Sequence, residues 1–216
     1  MARINKVTIN KTKIDALLFD LSKKIEPQVY NQVKANFESA KQQMIDDFDE
    51  HPVTQEIEAG PEAENITDTL EPRSDTNSGG NLFSFIGFNA SNKPTEVVRK
   101  ILKNDTRLIR KPQITKTTNT VSYSYVAEMP SKDELAEKTP LPWPGFTERS
   151  WLLGIEEGIS GLNYYIYSLK LSSSASSRSG TGLQYKKQLS SGLRFKNISY
   201  ISPVLNAFKS KVRVNI

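Results

Sequence analysis

The side chains that could do chemistry in this chain are few and widely spaced. The chain contains no cysteine and one histidine, His51. A serine–histidine–carboxylate triad needs an imidazole held in a cleft, whereas His51 lies between Glu50 and Pro52 beside an acidic segment. We therefore expect a solvated or capping histidine. The absence of cysteine excludes thiolate catalysis, disulfides and cysteine-ligated zinc.

Two carboxylate groups are the other candidates for acid–base or metal chemistry. Glu156 and Glu157 are adjacent in a stretch that we predict as a strand, where neighbouring side chains point to opposite faces, so a paired acid and base is not expected. The aspartates at 46, 47 and 49 lack the spacing of a calcium loop and indicate a charged helix end. We therefore predict no catalytic residue, no metal, no cofactor and no enzymatic activity.

A glycine run near residue 180 shares only its glycine content with phosphate-binding loops. Ser179-Gly180-Thr181-Gly182 is followed by Leu183-Gln184, whereas a phosphate loop requires Lys and then Ser or Thr after its second glycine. The run ends residues 172–182, in which eight of eleven residues are Ser or Gly. We predict a flexible loop there and no nucleotide site.

The net charge of +5 is divided unevenly along the chain. Residues 1–75 contain 9 Lys and Arg and 15 Asp and Glu, for a net charge of −6, and residues 76–216 contain 20 and 9, for +11. Such a division indicates nucleic acid on the basic part, a head-to-tail contact between subunits or, in a free monomer, solvated surface. We prefer the contact, because no known nucleic-acid-binding module is present. The predicted interface residues are Glu56, Glu58, Glu62, Glu64, Arg178, Lys186, Lys187 and Arg194.

A long amphipathic helix is predicted in residues 1–48, after a short strand or extended arm. Because Pro is tolerated in a first turn but not in a helix interior, we expect a second helix to start near Pro27, which makes the whole a kinked helix that ends near Glu50. Two stripes of apolar residues at helical spacing support it: Ile14, Leu18, Leu21 and Ile25, and then Val29, Val33, Phe37, Ala40, Met44 and Phe48.

Residues 49–81 differ in composition from the rest of the chain. Nine Asp and Glu are mixed with three Pro and three Gly, and the few apolar residues show no period. Such a segment has too little apolar surface to pack by itself. We predict an extended acidic arm that becomes ordered on a neighbouring subunit.

Residues 82–216 are predicted to form the core. The stretch 143–184 contains both tryptophans, and large aromatic side chains contribute much of the burial in a domain; the predicted core residues are Trp143, Trp151, Ile155, Leu162 and Tyr165. We predict strands at 81–88, 108–115, 120–128, 151–156, 162–171 and 193–198, with helix as the competing assignment for 151–156, and helices at 95–103, 131–138 and 204–211. The fold class is α+β, with the long N-terminal helix packed on a small mixed or antiparallel sheet, and with an extended arm and loops.

Five features follow one another along the chain: the long helix, His51-Pro52-Val53-Thr54, the segment from Trp151 to Leu162, the loop from Ser177 to Gln184, and the tail Tyr200-Ile201-Ser202-Pro203-Val204-Leu205. This order resembles virion structural proteins of tailed bacteriophages, and is most similar to their neck and tail-completion proteins. In that family a helix packs on a mixed sheet, and arms pass to neighbouring subunits. Its usual Pro-x-Asp-Thr-Gly turn is replaced here by Pro52-Val53-Thr54-Gln55-Glu56.

The resemblance implies a homo-oligomeric ring of six or twelve subunits in the virion, assembled in the host cytoplasm. Its partners would be portal, neck, tail-tube or sheath proteins, and its role that of adaptor, stopper, tail terminator or completion protein. DNA would pass through the channel without specific binding. No apolar run approaches ~18 residues, so no membrane span is expected. The alternatives are a nucleic-acid-binding protein that uses the basic C-terminal face and, third, a hydrolase with a carboxylate-bound metal.

Overall fold

The computed structural model describes most of the chain, and every structural statement below concerns these residues: 2–11, 19–70, 81–116, 121–142, 149–158, 165–166, 183–184 and 195–212. The predicted loop at 172–182 lies outside them. So do Trp143, Leu162, Arg178, Lys186, Lys187 and Arg194.

The fold is α+β, as the sequence predicts, with a long N-terminal helix and an antiparallel sheet. The strands are β1 (Ala2–Lys11), β2 (Arg107–Lys116), β3 (Val121–Met129), β4 (Tyr165–Ile166) and β5 (Leu183–Gln184). The helices are α1 (Phe19–Asp49), α2 (Pro52–Glu58), α3 (Leu82–Ile86), α4 (Pro94–Asp105), α5 (Lys132–Glu137), α6 (Trp151–Glu157) and α7 (Ile201–Val212), with a 3-10 turn at Gly60–Glu62.

The chain divides into two compact units. The sheet unit consists of Met1–Asp47, Ile101–Ser131 and Val204–Ile216, and the helical unit consists of Phe48–Lys100 and Lys132–Pro203. The division does not follow the three consecutive segments that the sequence predicts. Each unit combines stretches that are distant in sequence, so local composition alone does not define it.

In the sheet unit, β3 is the central strand of an antiparallel sheet with the order β1-β3-β2. The predicted strands at 108–115 and 120–128 are confirmed as β2 and β3. Tyr123, Tyr125 and Ala127 alternate along β3 and are all buried. Tyr125 contacts α1, since its ring lies 5.7 Å from that of Tyr30. This contact packs the long helix on the sheet, as expected.

Helix α1 runs as one element through Pro27, so the predicted second helix start at that residue is wrong. Proline costs a helix interior about 3 kcal/mol, but the stripe that follows it supplies compensating burial. Val29, Val33, Phe37, Ala40, Met44 and Phe48 are all buried. Within the sheet unit, Phe37 meets Phe208 of α7 edge to face at 5.8 Å, which fixes the register of that stripe.

In the helical unit, residues 81–88 do not form the predicted strand but contain the short helix α3. The Asn81 side chain accepts a hydrogen bond from Ser84 N and caps the helix start, and Gly87, with φ of 84°, ends it. Gly87 N–H and Phe88 N–H both donate back to Phe83 O, which is a glycine-dependent helix end. All eight residues of 81–88 are buried. The apolar residues therefore show no period that would distinguish a helix from a strand.

Residues 151–157 are also helical rather than a strand. Ser150 caps α6 by accepting a hydrogen bond from Leu153 N at 3.2 Å. Trp151 and Ile155, predicted as core residues, are four positions apart on the helix and only 2% and 0% exposed. Their spacing therefore places both on one buried helical face.

The predicted extended arm at 49–81 is wrong for its first part. Residues 52–58 form α2 and residues 60–62 a 3-10 turn, and Val53 and Ile57 are buried. Leu70 is buried and forms an isolated antiparallel bridge with Phe195. Two apolar residues four positions apart are enough to anchor a two-turn helix when other elements cover them. Residues 71–80 lie outside the described part.

The remaining predicted elements differ mainly at their ends. The helices at 95–103 and 131–138 correspond to α4 and α5, and the terminal helix starts at Ile201, before Pro203. The predicted strand at 193–198 is reduced, in the described residues, to the bridge at Phe195. Tyr165 lies in β4, opposite Gln184 of β5, and this pair is the described part of the predicted strand at 162–171.

Candidate functional site

Glu56 is a buried carboxylate that fastens two distant backbone segments. It is 0% exposed. Its Oε2 accepts hydrogen bonds from Thr67 N at 2.9 Å and Thr67 Oγ1 at 2.7 Å, and its Oε1 accepts one from Leu82 N at 2.7 Å. A buried carboxylate is tolerable only when such donors satisfy it. Glu56 is thus an internal anchor in the described chain, which corrects its prediction as an interface residue.

The segment that Glu56 fastens is a braced and exposed turn, which we call the acidic turn and define as residues 60–68. Asn81 Nδ2 donates to Pro61 O and to Ala63 O, each at 2.8 Å, and Asn65 Nδ2 donates to Leu70 O at 2.7 Å. These bonds hold the backbone of the turn from both ends. The turn is therefore ordered by side chains of its own unit.

The outer surface of the acidic turn is charged, with one large apolar side chain. Glu62, Glu64 and Asp68 are exposed, and no salt bridge to them occurs among the described residues. Ile66, between them, is 53% exposed, more than any other large hydrophobic residue that the structure describes. Solvent exposure of Glu62 and Glu64 is compatible with their predicted place in an interface.

Glu156 is a second carboxylate anchor, at the start of α7. Its oxygens accept hydrogen bonds from Tyr200 N at 2.9 Å, Ser202 N at 2.6 Å and Ser202 Oγ at 2.7 Å. Lys132 Nζ lies 2.9 Å from Glu156 and 3.1 Å from Glu157. Burial opposes ionisation of Glu156, but the bonds from Ser202 and Lys132 outweigh it, so its pKa lies below the ordinary value. The hydrogen bond to Glu156 in turn raises the pKa of Lys132.

His51 caps helix α2. The expectation of a capping histidine is therefore confirmed. Its Nδ1 accepts a hydrogen bond from Val53 N at 3.2 Å, and Nε2 lies 3.1 Å from Ser199 O. An acceptor at Nδ1 and a carbonyl at Nε2 together select the neutral ring with its proton on Nε2. Burial lowers the pKa of His51, and the Ser199 hydrogen bond and the charge of Glu156 only partly offset it. The ring packs at 4.9 Å on Tyr200, which also stacks on Phe48 at 5.7 Å.

Arg99 joins two carboxylates at the surface of the helical unit. Its guanidinium bonds to Asp49 at 2.7 Å and to Glu58, and Glu58 also accepts a hydrogen bond from Thr95 Oγ1 at 2.6 Å. Burial would raise the pKa of Glu58, but the bonds from Thr95 and Arg99 lower it below the ordinary value. The charge of Glu58, predicted for a subunit interface, is thus already balanced within its own unit.

In the sheet unit, the sequences of β1 and β2 are rich in Lys and Arg. The only acidic residue of the three strands β1, β2 and β3 is Glu128, which bonds to Arg107 at 2.9 Å and stands opposite Arg3 in the β1 register. Strand pairing therefore places β1, from the acidic N-terminal part of the chain, in the same sheet as β2, with β3 between them. The Lys and Arg residues of β1 and β2 are Arg3, Lys6, Lys11, Arg107, Arg110, Lys111 and Lys116.

These arrangements are suited to holding backbone segments rather than to moving protons. Glu56 accepts three hydrogen bonds, Glu156 accepts three and also pairs with Lys132, and His51 uses both ring nitrogens for backbone contacts. Within the described part of the chain, no group of three or more His, Cys, Asp or Glu side chains could hold a metal ion. None of the helices described is both long enough and apolar enough to cross a membrane.

Several of these residues had no signal in the sequence. Arg99 is 41 and 50 positions from the carboxylates that it bonds, and Thr67 is 11 positions from Glu56. Asn81 is 18 and 20 positions from the carbonyls that its side chain bonds, and Lys132 is 24 positions from Glu156. No local pattern encodes such partners. Only the Asn81 cap could have been found, because an Asn three residues before Ser84 is a helix-start signal. No family model, no curated protein and no solved structure matches the chain.

Proposed function

We propose that this chain is a non-enzymatic structural protein of a tailed-bacteriophage virion, a ring subunit of the neck that joins the portal side to the tail. The observation that carries the proposal is the separation of charge between two parts of the chain. The acidic turn of the helical unit is exposed, and the sequences of strands β1 and β2 in the sheet unit contain seven Lys and Arg and no Asp or Glu. A ring built by head-to-tail contacts needs two different, complementary surfaces on every subunit.

The buried polar groups support a scaffolding role. Glu56 and Glu156 each accept three hydrogen bonds from residues distant in sequence within one unit. A ring wall has to keep its contact surfaces in fixed positions while DNA passes. Preordered surfaces also lower the entropy cost of association. The order of segments in the sequence, from long helix to C-terminal tail, agrees with the phage neck proteins it resembles.

Native mass spectrometry of the full chain over a concentration series tests the proposal. We expect a closed ring of six or twelve subunits, either alone or once purified portal ring and tail-tube protein of the same phage are added. The full chain has to be used, because α2 and Glu56 are buried and deletion of 49–81 would remove core. A chain that stays monomeric with both partners present contradicts the proposal.

The basic C-terminal part of the chain favours one second candidate, a nucleic-acid-binding protein. Nine Lys and Arg and no Asp or Glu follow Glu157. Of these, Lys196 and Lys211 are exposed in the described residues. Binding to duplex DNA whose affinity falls with salt, with a slope set by the number of phosphates contacted, would favour this candidate. A chain that forms rings and binds DNA only at low salt would not favour this candidate.

A further inference from the structure

We propose that the acidic turn of one copy docks on the solvent-facing side of helix α4 of a second copy, with Ile66 of the turn against Val97 of the helix. This inference rests on the proposed ring function and names the two surfaces that would join its subunits. The turn and the helix are different surfaces and each occurs once per copy, so a contact between them is heterologous and can repeat around a ring.

The two surfaces contain the exposed large apolar side chains of the described chain. Among the large hydrophobic residues that the structure describes, Ile66 and Val97 are the two that are exposed, by 53% and 42%. A single exposed apolar side chain is common on protein surfaces, but these two lie among charged residues of opposite sign. An apolar centre within a polar rim is the usual anatomy of a protein interface.

In the acidic turn, the charges around Ile66 are negative and unpaired. Glu62, Glu64 and Asp68 are exposed, and no salt bridge to them occurs among the described residues. Because hydrogen bonds from Thr67 to Glu56 and from Asn81 to the turn fix its backbone, little conformational entropy remains to be lost on docking.

Helix α4 has one buried side and one charged side. Thr95, Val98 and Leu102 are at most 1% exposed and lie at helical spacing on the buried side. The opposite side is exposed, and we call it the basic face of α4. Its residues are Lys93, immediately before the helix, and Val97, Lys100 and Lys103.

The charges around Val97 are predominantly positive. Residues three and four positions apart are neighbours on a helix, so Lys100 lies beside Val97 and Lys103 lies beside Lys100. Glu96 adjoins this face, but its carboxylate already pairs with Lys93 at 3.3 Å. No salt bridge to Lys100 or Lys103 occurs in the described part of the chain. The basic face therefore offers two unpaired cations to the acids of the turn.

A second copy accounts for more of these features than a nucleic acid does. Within one copy, no salt bridge between described residues joins the turn to the basic face. Nucleic acid would account for the lysines, but it would repel the acidic turn and leave Ile66 exposed. A second copy supplies one turn for every basic face and covers both apolar side chains. The contact is therefore assigned to a surface of the same chain.

Two charge-reversal variants test the contact. The turn variant carries Glu62→Lys and Glu64→Lys, and the helix variant carries Lys100→Glu and Lys103→Glu. Asp68 is left unchanged, because its φ of 51° favours Asp or Asn over Lys. Each variant alone sets like charge against like, so its self-association should weaken roughly 100-fold. In an equimolar mixture every contact between unlike copies pairs Lys with Glu, which should restore association to within a few-fold of the natural chain.

The measurement is sedimentation equilibrium and native mass spectrometry of each variant and of the mixture, after circular dichroism has shown that each variant is folded. One variant carries a heavy-isotope label, and rescued assemblies should contain equal numbers of the two variants. The controls make the same charge changes elsewhere. Glu38→Lys with Glu137→Lys and Lys34→Glu with Lys138→Glu alter exposed residues on helices α1 and α5 and just beyond α5, and should leave association unchanged.

A double-mutant cycle tests whether the two apolar side chains meet. Ile66→Ser and Val97→Ser should each weaken self-association about 10-fold. Because each side chain loses the same contact, the double variant should be weakened by about 10-fold rather than by the product of about 100-fold. Effects that multiply would contradict the pairing of Ile66 with Val97.

The outcomes separate this contact from the ring function itself. Rings that form normally in both charge variants overturn the contact and leave the ring function standing, and so does loss of association without rescue in the mixture. Association of the mixture but not of the single variants supports the contact, even if the natural chain forms no closed ring with portal and tail proteins, in which case the ring function is wrong. A helix variant that loses duplex DNA binding while its self-association is unchanged overturns the contact, in favour of nucleic acid.

Discussion

Glu56 Oε1 accepts the backbone N–H of Leu82 at 2.7 Å, although 26 positions separate the two residues in the chain. The same carboxylate holds Thr67 through its other oxygen. One buried side chain therefore sets the distance between the acidic turn and the start of helix α3. Glu56 therefore stabilises the fold, although its charge and its place in an acidic segment indicate a surface residue.

Glu56→Gln should destabilise the protein by about 3 kcal/mol. The amide keeps the size of the side chain but replaces one acceptor oxygen by a donor, which leaves a buried N–H without a partner. Urea unfolding monitored by circular dichroism measures the loss. The matched control is Glu64→Gln, an exposed residue of the same turn, which should change stability by less than about 0.5 kcal/mol. Equal effects of the two substitutions would contradict the anchoring role.

Glu156→Gln should lower stability by about 2 kcal/mol at neutral pH, because hydrogen bonds from Ser202 and the ion pair with Lys132 are lost or weakened. Since the pKa of Glu156 is lowered in the folded state, its contribution is complete above 4.5 and is lost as the pH falls through the folded pKa. The difference in unfolding free energy between the natural chain and the variant should therefore shrink below pH 4.5. A difference that is constant down to pH 3 would argue against a charged anchor.

His51 should make the stability depend on pH just below neutrality. Its folded pKa is lowered from 6.5, so the neutral ring stabilises the fold above pH 6.5, and this stabilisation is lost as the pH falls below 6.5 towards the folded pKa. Protonation removes the Nδ1 acceptor that caps α2. The chain has one histidine, so its Cε1–H resonance gives the folded pKa directly. His51→Asn keeps a capping acceptor, and its stability should not vary between pH 5.5 and 7.0.

Gly158→Ala and Gly60→Ala form a matched pair for the helical unit. Both glycines have a positive φ, 85° and 80°, which residues with a Cβ rarely adopt, and the ψ of 134° at Gly158 puts it outside the left-handed helical region as well. A Cβ at 158 would also lie 3.1 Å from Asn197 Oδ1, whereas a Cβ at 60 meets nothing within 4 Å. We expect a loss of about 2 kcal/mol for Gly158→Ala and about 1 kcal/mol for Gly60→Ala. Thermal or urea unfolding of the two variants measures the difference, and an equal loss would contradict the close contact at Asn197.

The sequence predicted those parts of the fold where a periodic pattern is long. Helix α1 carries six apolar residues at helical spacing, and β3 alternates over nine residues, so periodicity separates helix from strand in both. Helices α3 and α6 have five and seven residues and are apolar on most sides. In these the decisive signals are the caps at Asn81 and Ser150, which are single residues and easily outweighed by β-propensity in the pattern.

The candidate site was predicted only in part. Glu62 and Glu64 lie in a turn and are exposed. The acidic composition of the segment predicts this exposure correctly, because charged residues are seldom buried without partners. Glu56 is the exception, and the partners that permit its burial, Thr67 and Leu82, are 11 and 26 positions away. Four basic residues were also predicted for the interface: Arg178, Lys186, Lys187 and Arg194. They lie outside the described residues, so their place in an interface stays a prediction.

The sequence by itself determined the α+β class, the long amphipathic helix, the two paired strands and the separation of acidic from basic segments. All of these depend on local periodicity or on composition. The tertiary structure alone decided that Glu56 and Glu156 are internal anchors, that His51 is a neutral cap, and that β1 and β2 flank β3 in one sheet. The physical reason is that burial, hydrogen bonding and strand pairing depend on residues that are distant in sequence, and a local pattern carries no information about which distant residue will meet it.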